Sequence, residues 1–252
     1  MGERVDRGVA VVTGGSRGIG AATAVLLAER GWSICLGFLR AAPAAEAVAE
    51  ACRAHGVPAA AVAADLRTAG GVASVFEAAD ALGPVRALIN NAGIVEDRAR
   101  VDAMSEARVA RMLETNVLGP ILCAGAAVRR MSTRFGGDGG SIVNVSSAAS
   151  RLGSPSEYVD YAASKGAIDT FTVGLAREVA DEGIRVNAVR PGLIDTEIHA
   201  SGGQPDRVER LRTAIPMQRA GTAREVAEAI AWLCSPAASY VTGALVDVSG
   251  GR

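Results

Sequence analysis

Lysine is almost absent from this chain. Its 252 residues hold 26 Lys plus Arg, and Lys165 is the only lysine among them. Aromatic residues make up only 4%, so any core must be filled by aliphatic and small side chains. Histidine occurs twice (His55 and His199), and the four cysteines (Cys35, Cys52, Cys123, Cys234) form no CxxC or Cys/His cluster. That pattern argues against a zinc site and a disulfide framework; no metal is expected, and a reducing, cytoplasmic setting is. No stretch reaches the roughly 18 apolar residues of a membrane span. The start, MGERVDRGVAVVTGG, carries charges where a signal peptide needs its apolar segment. The net charge is -1 with no acidic or basic block, so neither nucleic acid nor an anionic membrane is expected as partner.

What the chain does contain is alternation. Short apolar runs, GVAVVT (8–13), SICLGF (33–38), PAAAVAA (58–64), VRALIN (85–90), SIVNVS (141–146), IRVNAVR (184–190) and ALVDVS (244–249), read as strands. Between them lie helical stretches at 21–30, 44–55, 72–82, about 105–133, about 157–182 and near 222–235. Apolar strands separated by helices imply an α/β fold, a doubly wound parallel sheet of Rossmann type covered on both faces. No linker or low-complexity tract divides residues 1–252, and FGGDGG (135–140) is the one Gly-rich interruption that reads as a loop insertion. A single domain is expected.

After the first strand comes TGGSRGIG (13–20), with Gly14, Gly18 and Gly20 in a GxxxGxG spacing. Glycines there let the chain turn sharply and approach a pyrophosphate, which the following helix N-terminus attracts. The bland alternative is an ordinary strand-to-helix turn. An NAD-binding site places an acid near the end of the second strand to accept from ribose hydroxyls. That strand ends at Phe38 with no acid; Arg40 follows, and Arg17 lies inside the glycine turn. Two guanidiniums suit a 2′-phosphate, so NADP(H) is expected over NAD(H).

The motif SEYVDYAASKGAI (156–168) places Lys165 four residues after Tyr161, one helical turn along the same face. A phenol titrates near ~10, and a nearby fixed cation favours its phenolate. Reaching neutrality needs about three units, roughly 4 kcal/mol, more than one partner usually supplies. In the reducing direction the neutral phenol already has the proton to donate.

TGGSRGIG, NNAG (90–93), Asn116 in LETNVLG, the paired serines of IVNVSS, YAASK (161–165) and RPG (190–192) together resemble the classical short-chain dehydrogenase/reductase family. The likeness runs from about residue 7 to the end of the chain. It implies Tyr161 as general acid/base, Lys165 holding the nicotinamide ribose and lowering the tyrosine pKa, and a serine on the substrate carbonyl. Ser147, fourteen residues before Tyr161, fits the family spacing better than Ser146. Asn116 would interrupt its helix and hold a water in a proton relay. Tyr158 and Lys165 form a competing YxxxxxxK pair that resembles the related enoyl reductases, although those depart from the TGxxxGxG turn kept here.

By the same resemblance, Gly14, Ser16, Arg17, Gly18, Ile19 and Gly20 cradle the cofactor, with Arg40 beside the adenosine ribose. Asp65 and Leu66 follow the third strand near the adenine, and Asn90, Ala92 and Gly93 line the groove at the fourth. Pro191, Gly192, Ile194 and Thr196 meet the nicotinamide. Thr13 is expected to fix the NNAG turn. The implied activity interconverts a carbonyl and a secondary alcohol, as in β-ketoacyl-acyl-carrier-protein reductases. A sugar or polyol dehydrogenase of glucose type, and a non-catalytic NADP(H) sensor, remain alternatives. Residues 196–216, including His199, would form a substrate lid. Arg129, Arg130 and Arg177 would meet an acidic carrier protein, or are ordinary solvated charges. A homotetramer is expected.

Overall fold

A computed structural model describes residues 7–197, 203–204 and 206–252. The predicted lid residue His199 lies outside them. Seven parallel strands form one sheet in the order β3-β2-β1-β4-β5-β6-β9. They are β1 (Val9–Thr13), β2 (Ser33–Phe38), β3 (Ala59–Ala63), β4 (Val85–Asn90), β5 (Gly140–Val145), β6 (Ile184–Pro191) and β9 (Leu245–Val248). Two short strands, β7 (Ile194–Asp195) and β8 (Gly221–Thr222), pair beside it.

The inner strands are apolar on both faces because each face meets helices. Along β1, Ala10 and Val12 enter one core, and Val9 and Val11 enter the other. The first core packs under helices α1 (Gly18–Glu29) and α2 (Ala42–Ala54) and a helix over Ala223–Leu233. The second packs under α3 (Ala69–Asp80), α5 (Gly119–Met131) and the end of α7 (Val159–Glu178). Alanine at these positions lets helices approach closely, and Ala24, Ala49, Ala79 and Ala127 are buried. All four cysteines are buried as small hydrophobes; burial pushes Cys35, Cys123 and Cys234 up to about 12 and Cys52 to about 11. None is a nucleophile at neutral pH.

The expected long helix over 105–133 is two helices, α4 (Glu106–Leu113) and α5, joined by a π-helical turn at Glu114–Leu118. The expected helix over 157–182 ends at Glu178 and continues as a 3-10 turn, Ala180–Glu182. FGGDGG is a connection between α5 and β5, partly a 3-10 turn over Thr133–Phe135. Among the described residues no helix is long and apolar enough to cross a membrane.

The chain winds outward through β1, β2 and β3, then returns to place β4 on the other side of β1. This reversal opens a crevice beyond the carboxyl ends of β1 and β4, where doubly wound sheets bind ligands.

Candidate active site

The glycine turn closes that crevice. Gly14 and Gly18 adopt φ of 63° and 55°, a left-handed backbone that favours glycine. A Cβ on Gly20 would stand 2.3 Å from the Gly14 carbonyl oxygen and 2.5 Å from Asn91 Nδ2, so the turn closes only without a side chain there. Arg17 is the extended N-cap of α1 and caps it with no side-chain bond. The first amides of α1 therefore have no capping side chain, as an anion site would require. The donor set and this cradle fit a dinucleotide pyrophosphate.

Across the crevice, the Thr13 hydroxyl accepts from the amides of Asn91 (2.9 Å) and Ala92 (3.0 Å) and donates to the Ile89 carbonyl (3.2 Å). Asn91 Nδ2 returns two bonds, to the Thr13 and Gly14 carbonyl oxygens at 2.9 and 3.0 Å. Thr13 thus fixes the NNAG turn as expected. The Asn90 side chain turns away from the groove and donates to the Pro120 carbonyl and to Asn144 Oδ1. The Asn90 side chain is held by α5 and β5, through Pro120 and Asn144. Asn91, its neighbour, lines the cavity instead.

Arg17 and Arg40 are both exposed, and neither forms an ion pair among the described residues. The Gly15 amide donates to the Gly37 carbonyl at 3.2 Å, drawing the turn against the end of β2, just before Arg40. Ser16 lies between them in the turn, half-buried. Asp65 sits past β3 with its carboxylate bonded to the Arg67 guanidinium and amide, which hold it below the usual carboxylate range. Leu66 packs its backbone against Gly119 at the start of α5.

The chemistry-bearing side chains meet in one cavity, lined among others by Ile19, Asn91, Gly93, Ser147, Tyr161, Lys165, Pro191, Gly192, Ile194 and Thr196. Lys165 is buried, and its ammonium donates to the Val145 carbonyl oxygen at 2.8 Å. Burial lowers its pKa to about 8, partly offset by Asp169 one turn along the helix. Tyr161 and Ser147 line this cavity together. Burial raises the phenol above its ordinary value, and the nearby Ser147 hydroxyl only partly reverses this. The expected lowering of the tyrosine pKa by Lys165 is thus not present in the chain alone: desolvation wins, and the phenol stays protonated at neutral pH. Ser146 also borders the cavity, but it is buried and its hydroxyl is engaged in donating to the Lys165 carbonyl.

Asn116 is fully buried at the π turn. Its Oδ1 accepts from the Ile94 amide at 2.8 Å, and its Nδ2 donates to the Ile94 carbonyl at 3.0 Å and to Ser164 Oγ at 3.2 Å. A Cβ on Gly93 would lie 3.2 Å from Asn116 Oδ1 and 3.6 Å from Lys165 Nζ, which accounts for glycine there. The roof is the segment after β6. Gly192 donates to the Val248 carbonyl (3.0 Å), the Pro191 carbonyl accepts from Ala148 (2.9 Å), and Thr196 reaches Gly18. Residues 178 apart in sequence thereby close over the glycine turn.

Tyr158, the rival phenol, is buried on the cavity wall with its hydroxyl bonded to Gln204 Nε2. Arg130 pairs with Asp80 at 2.7 Å and lies over the Phe76 ring, whereas Arg129 and Arg177 are exposed. Sequence reasoning missed Asn91, Leu152, Ser154 and Arg252 around the cavity. Only Asn91, inside NNAG, carried a signal.

A parallel doubly wound sheet with a glycine-turn crevice and a Ser–Tyr–Lys cluster at its mouth defines a dinucleotide-binding oxidoreductase. A family model described as "Enoyl-(Acyl carrier protein) reductase" matches residues 14–252. The chain belongs to the short-chain dehydrogenase/reductase family. It is 54% identical to the uncharacterized oxidoreductase YgfF of Escherichia coli (strain K12) over 245 residues, covering 97% of this chain and 99% of that one. Cis-4-hydroxycyclohexanecarboxylate dehydrogenase of Sinomonas cyclohexanicum is 42% identical, covering 100% of this chain and 98% of that one. Among solved structures, a blue fluorescent protein from a metagenomic library in complex with NADPH superposes with a TM-score of 0.89, at 35% identity and 99% coverage of both chains. The 3-ketoacyl-(acyl-carrier-protein) reductase of Brucella melitensis complexed with NADH gives 0.91 at 32% identity, covering 98% of this chain and 99% of that one. The chain is an oxidoreductase of this family.

Proposed function

We propose that the protein is an NADP(H)-dependent ketoreductase, interconverting a carbonyl and a secondary alcohol within one domain. The observation that carries this is the meeting of Ser147, Tyr161 and Lys165 in the cavity beside the glycine turn. The nicotinamide cofactor, when bound, supplies the hydride. The chain supplies the rest. Ser147 donates to the substrate carbonyl oxygen and Tyr161 gives up its proton there as negative charge develops, for which its raised pKa suits it at neutral pH. Lys165 keeps the ribose in place with an ammonium anchored on Val145. Arg17 and Arg40, unpaired with acids among the described residues, favour a 2′-phosphate.

Around Tyr161 the cavity presents Val95, Ala149, Leu152 and Leu193, with Ser154 and Arg252 among the polar residues. This wall fits an apolar-bodied ketone, such as a β-ketoacyl group, better than a sugar, whose hydroxyls would each need a partner. A sugar or polyol dehydrogenase is the second reading, and a non-catalytic cofactor sensor the third. The pairing of Arg130 with Asp80 leaves Arg129 and Arg177 as the remaining carrier contacts of the original three. A homotetramer is proposed on family grounds.

The test is consumption of NADPH and of NADH across β-ketoesters, acetoacetyl thioesters, glucose and simple ketones. Preferred turnover of β-ketoesters with NADPH is expected. Faster glucose oxidation would transfer the assignment to the second reading, and binding without any turnover to the third.

A further inference from the structure

We propose that the buried Arg108–Asp160 ion pair is a positioning clamp that sets the Tyr161 phenol against Ser147. The proposal rests on the reading of Tyr161 as the proton donor. Arg108 on α4 and Asp160 in the first turn of α7 are 9% and 3% exposed at their side chains. The Arg108 Nε donates to Asp160 Oδ2 at 2.7 Å, and Nη2 reaches Oδ1 at 3.3 Å. The remaining Nη1 donates to the Asp97 carbonyl at 2.6 Å. Asp160 Oδ1 in turn accepts from the backbone amide of Tyr161 at 2.9 Å.

These bonds do for α7 what a cap residue does elsewhere. Its N-cap, Tyr158, makes no side-chain capping bond, so the amide of Tyr161 is satisfied from within the helix by Asp160. An exposed acid would serve for capping alone and would also complement the helix dipole. Burying it against an arginine from another helix adds desolvation cost that such pairs seldom recover as stability. What the burial adds is geometry. One guanidinium joins α4, the loop after β4 and the first turn of α7 in a fixed bidentate fork. The loop is tied twice more just ahead of that turn, by Ala99 donating to the Glu157 carbonyl at 3.0 Å and by Arg98 paired with Glu157 at 3.4 Å. Asn116 holds the other end of that loop at Ile94. Tyr161 therefore leaves a helix start braced from two sides, while Lys165 is fixed by β5. A shift of about 1 Å in such a group costs up to a hundredfold in rate.

The test separates placement from stability. Asp160→Leu with Arg108→Met removes both charges together, so no buried ion is left unpaired, while the Tyr161 amide and the Asp97 carbonyl each lose a partner. With ethyl acetoacetate and NADPH, the double variant is expected to melt below the wild type yet remain folded at the assay temperature, to keep KM for both substrates within about threefold, and to lose at least tenfold in kcat. Wild-type kcat in a folded double variant overturns the proposal. Should that variant not fold, Asp160→Glu keeps the charge and displaces the carboxylate by one methylene. It is expected to lose about tenfold in kcat alone, and an unchanged kcat overturns the clamp. A substrate-independent readout is the tyrosinate absorbance of Tyr161, isolated by subtracting Tyr161→Phe. Displacing the phenol in Asp160→Glu changes its burial and its surroundings in the cavity and so moves its titration midpoint, and an unmoved midpoint counts against the clamp. Turnover surviving in Tyr161→Phe would instead sink the proton-donor reading, which distinguishes the two failures.

Discussion

The Lys165 ammonium lies 5.7 Å from the centre of the Tyr161 ring and is anchored by the Val145 carbonyl oxygen at 2.8 Å. Anchoring a buried ammonium on one carbonyl leaves most of its desolvation cost in place, which is why its pKa falls from 10.5 to about 8. The lone lysine of the chain is thus destabilising in its charged form. Below about pH 8 the folded chain bears the full cost of the buried charge. Between about 8 and 10.5 the unfolded chain holds a proton the folded one has released, so this group makes stability rise with pH. Lys165→Met is therefore expected to raise stability at pH 6.5 by about 1–3 kcal/mol, less the lost bond to Val145, and to abolish turnover. Thermal melts at pH 6.5 and 9.5 check this: the advantage shrinks at the higher pH, and a variant less stable at pH 6.5 refutes it.

The cofactor preference turns on two exposed cations. Arg17→Ala and Arg40→Ala are each expected to lower kcat/KM with NADPH by about ten- to a hundredfold, the worth of a charge-assisted hydrogen bond, with NADH changed less than about threefold. Steady-state kinetics with both cofactors decide it. Equal losses with NADPH and NADH would place the two arginines on the shared pyrophosphate or on nothing.

The fold was legible because its signals are local and repeated. Each of the seven strands of the main sheet lies on an apolar run, and TGGSRGIG, NNAG and YAASK sit where a doubly wound sheet brings them together. What the sequence hid depends on burial and direction. The Asn90 side chain leaves the groove because Asn144 and Pro120 offer it partners, a fact no spacing records. Asp160 reads as a solvated acid in the first turn of a helix, and only the fold brings Arg108 from 52 residues away to bury it. The break at Asn116 came from family resemblance; periodicity alone runs one helix from 105 to 133, because a π turn inserts one residue without altering composition. The tyrosine pKa went the other way from the Tyr–Lys spacing because spacing carries no information about desolvation.

Asn116 gives a direct test of that π turn. Asn116→Ala strips the partners from both the amide and the carbonyl of the half-buried Ile94 and leaves a cavity at a fully buried position. The expected cost is about 3 kcal/mol, a drop of roughly 6–12 °C in Tm. Calorimetry measures it. A shift under about 2 °C would mean that Ile94 finds other partners and that Asn116 is not what holds the loop.

The two phenols on the cavity wall separate cleanly by their partners. Tyr161 lines the cavity with Ser147 and stands one turn before Lys165, whereas the Tyr158 hydroxyl is engaged by Gln204, itself bonded to Arg210. Tyr158→Phe removes a contact to the segment over the cavity, so KM is expected to rise by about two- to tenfold with kcat within about threefold of wild type. Tyr161→Phe removes the proton donor, and kcat is expected to fall by about a hundred- to ten-thousandfold at unchanged cofactor affinity. Both variants keep the ring, so packing is preserved, and Tyr158→Phe is expected to melt a little lower because buried Gln204 loses a partner. The reverse ranking, with Tyr158→Phe the inactive protein, would assign the chemistry to the YxxxxxxK pair and move the chain toward the enoyl-reductase pattern named by its family model.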